Sequence, residues 1–189
     1  LWVWLRLKLI SDVGLLGLPN AGKSTFLAQV TQARPKIAAY PFTTLQPGLG
    51  VATLHDKEFV IADIPGLIEG AHEGVGLGLK FLAHIERCKV LLHLVDGLVD
   101  DETMIDHYDT IINELAEYND ALLEVPTLVA LNKIDSLSAE DIQRKQALLA
   151  EHAGRTVYAI SAAGGIGIEP LLEALFELVF GAEVDDPAA

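Results

Sequence analysis

One short segment near the start of the chain constrains its fold more than any other feature. It consists of Gly17, Leu18, Pro19, Asn20, Ala21, Gly22, Lys23 and Ser24. The segment fits the pattern of glycine, any four residues, glycine, lysine and serine or threonine, in which backbone N–H groups cradle phosphate between a strand and a helix. The apolar run 13–16 precedes it, and an amphipathic stretch at 25–33 follows. We therefore predict a strand, a phosphate-binding loop and a helix in that order.

The polar residues of this loop have distinct predicted tasks. Lys23 can bridge the terminal phosphates of a nucleotide, and the Ser24 hydroxyl can hold Mg²⁺. We include Thr25, the next residue, among the nucleotide-binding residues.

The composition indicates a globular chain with a single main domain. Its 189 residues are 51% hydrophobic, which is enough to build a sizeable core. The chain begins at Leu1 and its only methionine is Met104, so we expect a fragment of a longer protein. We divide it into a strand or junction at 1–10 after a preceding domain, a main domain at 11–180 and a flexible tail at 181–189.

Charge and hydropathy exclude several classes of function. The net charge of −14 argues against general nucleic-acid binding by this chain, because phosphate contacts need clustered lysine and arginine. Apolar stretches such as 90–95 are too short to span a bilayer, and the apolar start lacks a small-residue cleavage site. The single cysteine, Cys88, excludes an internal disulfide framework and fits a reducing compartment. We expect a cytoplasmic protein.

Hydrophobic patterns predict an alternation of strands and helices. Strands are predicted at 13–16, 50–54, 58–63, 90–95, 127–131 and 157–160, and helices at 25–33, 81–87, 103–118, 139–152 and 169–179. The strands at 50–54 and 58–63 flank a turn at 55–57 and form a hairpin. A proline-bearing loop at 34–47 and a glycine-rich segment at 64–79, which we expect to be mobile, interrupt the pattern. We predict three layers: a mostly parallel six-stranded sheet with one antiparallel strand and helices on both faces.

A second phosphate-side element follows the loop. The strand 58–63 ends in Asp63, 39 residues after Ser24, and Ile64, Pro65 and Gly66 come next. A carboxylate at the carboxyl end of a strand can reach Mg²⁺ through water, and the Gly66 N–H can sense a terminal phosphate. Taken alone, such an aspartate is more often a turn or cap residue.

The proline-bearing loop carries Phe42, Thr43 and Thr44. One of its hydroxyls is predicted to complete the Mg²⁺ shell when a γ-phosphate is present, which would order the loop. The alternative is a pair of solvated loop hydroxyls.

Asn132, Lys133 and Asp135 follow the strand 127–131 and predict which base is bound. The Asp135 carboxylate can accept from both the ring N–H and the exocyclic amine of guanine, neither of which adenine presents. Asn132 would tie the site to the phosphate loop, and Lys133 would lay its aliphatic stem along the base. The alternative is a loop-to-helix turn with Asp135 as a cap. Small residues whose backbone N–H groups can approach the base oxygen follow the last strand: Ser161, Ala162 and Ala163.

In this order the motifs resemble the guanine-nucleotide-binding domains of translation-factor-class P-loop GTPases, and within that class the Obg (CgtA) family. The narrower resemblance rests on 5–10, 40–45, 63–71, 86–88 and 92–96, and extends over about 2–179. It implies a G domain that hydrolyses GTP with Mg²⁺, with Thr44 rather than Thr43 as the magnesium ligand. For the whole protein it implies a role in large-ribosomal-subunit assembly and in growth or stress control. The chain has Ala38-Ala39-Tyr40 where the family often carries an acidic residue before the tyrosine.

Leu67 stands directly after the Asp-x-x-Gly motif, where Ras-type enzymes place a water-orienting glutamine. A leucine cannot hold water, so we predict slow intrinsic turnover. By resemblance, Asn20 matches an asparagine that helps hold K⁺ near the phosphates, where a cation can act like an arginine finger; the alternative is that Asn20 only stabilises the turn. His72 is a second catalytic candidate, and the alternative is an exposed loop histidine.

The leading hypothesis is a GTP-hydrolysing molecular switch. A rival from another class is a guanine-nucleotide-binding module whose hydrolysis is negligible without a partner, because Leu67 removes the usual water organiser. An ATP-dependent kinase is a more distant alternative, since the segment 132–135 specifies guanine.

The predicted role of Asn20 has a direct consequence for catalysis. If Asn20 helps hold K⁺, GTP turnover should be faster in KCl than in NaCl at equal ionic strength, because the bound cation would neutralise charge in the transition state. Multiple-turnover phosphate release in the two salts measures this difference. Equal rates would contradict the ion-binding role of Asn20.

Overall fold

The computed structural model describes residues 11–31, 36–37, 48–63 and 88–181. The predicted strand at 1–10, the glycine-rich segment 64–79, the helix at 81–87 and the tail after residue 181 lie outside the described residues. The proline-bearing loop 34–47 is described only at 36–37.

The described residues form a sheet whose strands run in the order β2-β3-β4-β1-β5-β6-β7. Their bounds are β1 Val13–Leu16, β2 Lys36–Ile37, β3 Gly48–Leu54, β4 Lys57–Asp63, β5 Val90–Asp96, β6 Thr127–Asn132 and β7 Val157–Ala159. Strands β4, β1, β5, β6 and β7 pair in parallel, whereas β3 is antiparallel to β4 and β2 to β3. The carboxyl ends of the parallel strands therefore meet at one edge, where open α/β sheets bind ligands.

Four α-helices connect and follow these strands in the described part of the chain. Their bounds are α1 Lys23–Val30, α2 Asp101–Tyr118, α3 Ala139–Ala153 and α4 Ile168–Phe180, and short 3₁₀ turns lie at Asp120–Glu124 and Ile134–Ser136. Helices α2 and α3 each have a side-chain N-cap. Asp100 caps α2 by accepting from the Thr103 N–H, and Ser138 caps α3 by accepting from the Asp141 N–H. No helix of this part of the chain combines the length and apolar character of a membrane span.

The central strands divide the core between their two faces, because successive side chains of a strand point to opposite sides. Leu92 of β5 lies in a cluster with Phe26 of α1 and Leu175 of α4. Val95 of β5 lies in a separate cluster with Leu149 of α3 and with residues of α2. Helices α1 and α4 thus cover one face and α2 and α3 the other, which confirms the predicted three-layer α/β fold.

The predicted hairpin is present, with a tighter turn than expected. His55 and Asp56 alone join β3 to β4, and Lys57 already belongs to β4. Both turn residues have positive φ, 49° and 60°, as a type I′ turn requires. The hairpin tip lies on α4, where His55 Nε2 is 2.9 Å from Glu173 Oε2 and the imidazole packs edge-on against Phe176.

The structure differs from the sequence prediction at one short strand and at the ends of elements. Strand β2 lies in the stretch predicted as a loop, and Lys36 pairs with Leu49 while Ile37 pairs with Gly48. A strand of two residues is too short to show an alternating pattern. The six predicted strands are all present, and β2 adds a seventh at the edge. Helix α1 begins at Lys23 and ends at Val30 rather than spanning 25–33.

His93 is a buried titratable residue in the middle of the sheet. It lies on β5 with 1% of its surface exposed, and its ring stacks on Tyr108 of α2. Its Nδ1 has no hydrogen-bond partner among the described residues. Burial, helped by the positive charges of Arg155 and Lys23, lowers the pKa of His93 from its ordinary 6.5 to about 3. The folded domain therefore holds a neutral imidazole at this position.

This neutral histidine should make the fold sensitive to acid. Between pH 6.5 and about 3 the unfolded chain binds a proton at His93 that the folded chain does not, so its contribution to stability falls as the pH falls through that window. The His93→Phe variant keeps an aromatic ring against Tyr108 and should lose less stability in acid than the wild type, by about 1.4 kcal/mol per pH unit. Urea unfolding of the nucleotide-free domain from pH 7 to pH 5 measures the difference. Parallel pH profiles for the two proteins would contradict this expectation.

Candidate functional site

The phosphate loop predicted at 17–24 lies between β1 and α1, at the carboxyl edge of the sheet. Helix α1 begins at Lys23 without a capping side chain and with no acidic residue in its first turn. The first backbone N–H groups of a helix lack intrahelical partners, and the positive end of the helix dipole lies beside them. The beginning of α1 therefore suits an anion.

Asn132 joins the phosphate loop to two other elements at this edge. Its Nδ2 donates to Ala21 O at 2.8 Å, and its Oδ1 accepts from the Ala162 N–H at 2.9 Å. The side chain approaches Gly22 so closely that a Cβ on Gly22 would lie 2.2 Å from Asn132 Nδ2, and Gly22 has φ +99°. The predicted tie is therefore present, and it requires glycine at position 22.

The Lys23 ammonium is held against the loop itself. Its Nζ donates to the carbonyls of Gly17 at 2.8 Å and Leu18 at 3.2 Å. These acceptors are backbone groups of the first two residues of the phosphate loop. A positive charge therefore lies at the point where the sequence predicts terminal phosphates.

Ser24 in the first turn of α1 lies beside Asp63 at the end of β4, with Ser24 Oγ donating to Asp63 Oδ2 at 3.3 Å. Asp63 Oδ1 is buried and has no hydrogen-bond partner within the described ranges. Burial raises the pKa of Asp63, although the Lys23 ammonium and the Ser24 hydroxyl oppose the rise. A hard divalent cation prefers oxygen donors and would offset the cost of ionising a buried carboxylate. These residues therefore fit Mg²⁺.

Lys133 and Asp96 form an ion pair next to Asn132. Lys133 Nζ lies 2.6 Å from Asp96 Oδ2, and Asp96 ends β5 directly opposite Asn132 in β6. Asp96 Oδ1 also accepts from the Leu98 N–H at 2.9 Å. No motif in the sequence assigns a role to Asp96, although it ends an apolar parallel strand as Asp63 does.

Asp135 lies in the 3₁₀ turn that follows β6. Its Oδ1 accepts from Ser161 Oγ at 2.5 Å, and this bond is the main reason that the pKa of Asp135 lies below its ordinary value. The carboxylate is therefore ionised at neutral pH.

Two of the backbone groups predicted for the base oxygen are already engaged inside the protein. The Ser161 N–H donates to Ile166 O at 2.9 Å, and the Ala162 N–H donates to Asn132 Oδ1. Their role toward a base oxygen stays a prediction. The Ser161 side chain donates to Asp135, and an isolated antiparallel bridge pairs the Ser161 backbone with Ile166.

A cavity of about 190 Å³ lies between these elements. It is lined by Gly22, Thr25, Leu98, Asn132, Lys133, Asp135, Ser136, Ala162 and Ala163. The lining residues come from the start of α1 and from the segments at and after the ends of β5, β6 and β7. Leu98 and Ser136 were missed by the sequence analysis, because neither belongs to a motif with recognisable spacing.

Several predicted site residues lie outside the described residues: Phe42, Thr43, Thr44, Ile64, Pro65, Gly66 and His72. Asn20 is described, is exposed and has φ 67°. Asparagine tolerates this left-handed conformation better than most residues, which supports a role in the turn. Its role as a K⁺ ligand stays a prediction.

The parallel sheet, the phosphate loop before α1 and the polar cluster after β6 define a P-loop nucleotide-binding domain. A family model described as 50S ribosome-binding GTPase matches residues 12–133, more than half of the 189-residue chain. The chain belongs to this GTPase family.

Solved structures share the fold at low sequence identity. The G domain of the T. maritima FeoB iron transporter is 21% identical with a TM-score of 0.62, and the match covers 89% of this chain and 98% of that one. Era in complex with MgGDPNP and nucleotides 1506–1542 of 16S ribosomal RNA is 22% identical with a TM-score of 0.69, covering 89% and 56%. An S. thermophilus NFeoB variant bound to GDP is 20% identical with a TM-score of 0.65, covering 89% and 63%. The chain thus spans less than two thirds of the NFeoB and Era chains.

The buried tie made by Asn132 leads to a stability prediction. Asn132→Ala leaves Ala21 O and the Ala162 N–H without their buried partner, so we expect the free energy of unfolding to fall by about 2 kcal/mol and nucleotide binding to weaken. Urea unfolding and equilibrium nucleotide titration measure the two effects.

Asn119→Ala is the matched control, because Asn119 caps the 3₁₀ turn at 120–124 on the surface. It should cost about 1 kcal/mol or less and leave nucleotide binding unchanged. Wild-type stability in Asn132→Ala would show that the tie is not needed.

Proposed function

We propose that this chain is the G domain of a GTP-hydrolysing molecular switch with slow intrinsic turnover. The observation that carries the proposal is the cavity beside α1, because its lining includes both the ionised Asp135 carboxylate and the start of the phosphate-side helix. A nucleotide with its base in the cavity and its phosphates on the loop would span these two features.

Base recognition is assigned to the loops after β6 and β7. The Asp135 carboxylate would accept from the ring N–H and the exocyclic amine of guanine, and an adenine base would leave its charge unpaired. Lys133 would lie along the base with its aliphatic stem. Ser161 supports this assignment through its hydrogen bond to Asp135, and Ala162 and Ala163 keep the cavity wall small.

The phosphate side is assigned to the loop 17–24 and to the magnesium residues. Ser24 and Thr44 would hold Mg²⁺ directly and Asp63 through water, and Lys23 would contact the terminal phosphates. Mg²⁺ supplies charge neutralisation on the β- and γ-phosphate oxygens. Thr44 and the Gly66 N–H would report the γ-phosphate, so that two loops are ordered with GTP and released with GDP.

Hydrolysis itself needs a further organiser of the attacking water, because Leu67 cannot supply one. Asn20 with a bound K⁺ and His72 are the candidates within this chain. The alternative function is a guanine-nucleotide switch module whose hydrolysis is negligible until a partner supplies the missing group.

The partner we propose is the large ribosomal subunit or an assembly intermediate of it, in the cytoplasm. The family description, which names the 50S ribosome, supports this choice, and the motifs at 40–45 and 63–71 support an Obg-like role. The net charge of −14 argues that this chain does not provide a general RNA-binding surface.

Exchanging the base-recognition group tests the nucleotide assignment. Asp135→Asn replaces an acceptor with an amide that can donate to the extra carbonyl of xanthine, so GDP affinity should fall by at least about a hundredfold while affinity for xanthosine diphosphate rises. Equilibrium titration with both nucleotides measures the exchange. Unchanged GDP affinity would contradict a base site at Asp135.

Phosphate release separates the switch from its alternative. The isolated domain should hydrolyse GTP slowly but through multiple turnovers, and 50S subunits should raise the rate because a partner can complete the site. Measurements with 50S subunits, with 30S subunits and without ribosomal particles provide the comparison. Turnover that is undetectable without particles would favour the partner-dependent module, and equal rates in all samples would argue against a ribosomal partner.

A further inference from the structure

Asp96 does not line the base cavity, but it contacts two residues that do, Lys133 and Leu98. Its Oδ2 lies 2.6 Å from Lys133 Nζ, and its Oδ1 accepts from the Leu98 N–H at 2.9 Å. The two oxygens of one carboxylate therefore hold the loop after β5 and the loop after β6.

The ion pair with Lys133 is better protected than an ordinary surface pair. The Lys133 side chain is 29% exposed and that of Asp96 is 16% exposed, so solvent screens their attraction less than it would at the surface. The Lys133 backbone is also fixed, in a left-handed conformation with φ 69° directly after β6. With both its backbone and its ammonium held, the aliphatic stem between them has little freedom.

Leu98 is fixed by the same carboxylate and by the end of β6. Gly97, between Asp96 and Leu98, donates its N–H to Asn132 O at 2.9 Å, and a Cβ on Gly97 would lie 2.7 Å from that oxygen. Leu98 is 51% exposed although it is a large apolar residue. An exposed leucine held on the wall of a cavity offers an apolar surface to a flat ring.

We infer that Asp96 is a positioning residue for base recognition, which holds the Lys133 stem and the Leu98 side chain at the spacing that a purine ring needs. This inference rests on the proposed guanine site. Asp96 acts through its two partners and does not touch the nucleotide. Its loss should therefore weaken binding of any purine nucleotide that Asp135 accepts, without changing the choice among them.

Two substitutions separate the contacts of Asp96. Asp96→Asn keeps an oxygen that can accept from the Leu98 N–H but loses the charge that pairs with Lys133, whereas Asp96→Ala loses both contacts. We expect the Kd for GDP to rise on the order of tenfold in Asp96→Asn and further in Asp96→Ala. Titration with inosine diphosphate, whose base lacks the exocyclic amine, should show the same factor for Asp96→Asn.

A double-mutant cycle with Lys133→Met tests whether Asp96 acts through Lys133. If it does, Asp96→Asn should have little further effect on GDP affinity once Lys133 has been replaced. An effect of Asp96 on binding that does not pass through Lys133 would give independent, additive losses of GDP affinity. Thermal unfolding without nucleotide checks that the variants are folded at the titration temperature.

Asp109→Asn is the matched control, because it makes the same chemical change on α2 at a residue that does not line the cavity and that pairs with His152 of α3. It should bind GDP like the wild type. If the wild type binds GDP and folded Asp96→Asn binds it equally well, the positioning role is wrong. If the wild type does not bind GDP, the proposed guanine site itself is wrong. The experiment therefore distinguishes failure of the guanine site from failure of the positioning role of Asp96.

Discussion

The site depends on one buried amide. Asn132, 2% exposed at the end of β6, donates to the phosphate loop at Ala21 O and accepts from the loop after β7 at Ala162. Leaving a buried polar group without a partner costs more free energy than one hydrogen bond contributes. Loss of the Asn132 amide would therefore destabilise the contacts at Ala21 and at Ala162 together. Through them the phosphate loop and the base cavity are both fixed relative to Asn132.

Around this amide, the carboxylates at the edge of the sheet have different environments. Asp63 is buried beside Ser24, and its pKa is raised. A divalent cation at this carboxylate would favour its ionised form. Asp135 is exposed, and Ser161 holds its pKa low, which suits a permanent acceptor. Asp96 is neutralised by Lys133 and orders the cavity wall. These three aspartates, two at the ends of strands and one in the turn after β6, therefore serve three different purposes that are set by their partners.

The sequence predicts the layers of this fold and the positions of its six longer strands along the chain well, because buried parallel strands appear as continuous apolar runs such as 90–95. It also predicts Asn132, Lys133 and Asp135, which follow a strand directly. It fails at β2, where two residues carry no periodicity, and at Asp96, whose role depends on a lysine 37 positions away. The side-chain role of Ser161 was missed for the same reason, since its bond to Asp135 forms only when β6 and β7 pair.

We propose that the cavity beside α1 holds a guanine base through Asp135. Equilibrium titration of the wild-type domain with GDP and with ADP in Mg²⁺ tests it most directly, because the two nucleotides carry the same phosphates. The account predicts that GDP binds at least about a hundredfold more tightly than ADP. Equal affinities would contradict it, since they would leave the phosphate loop as the only part of the site that recognises the ligand.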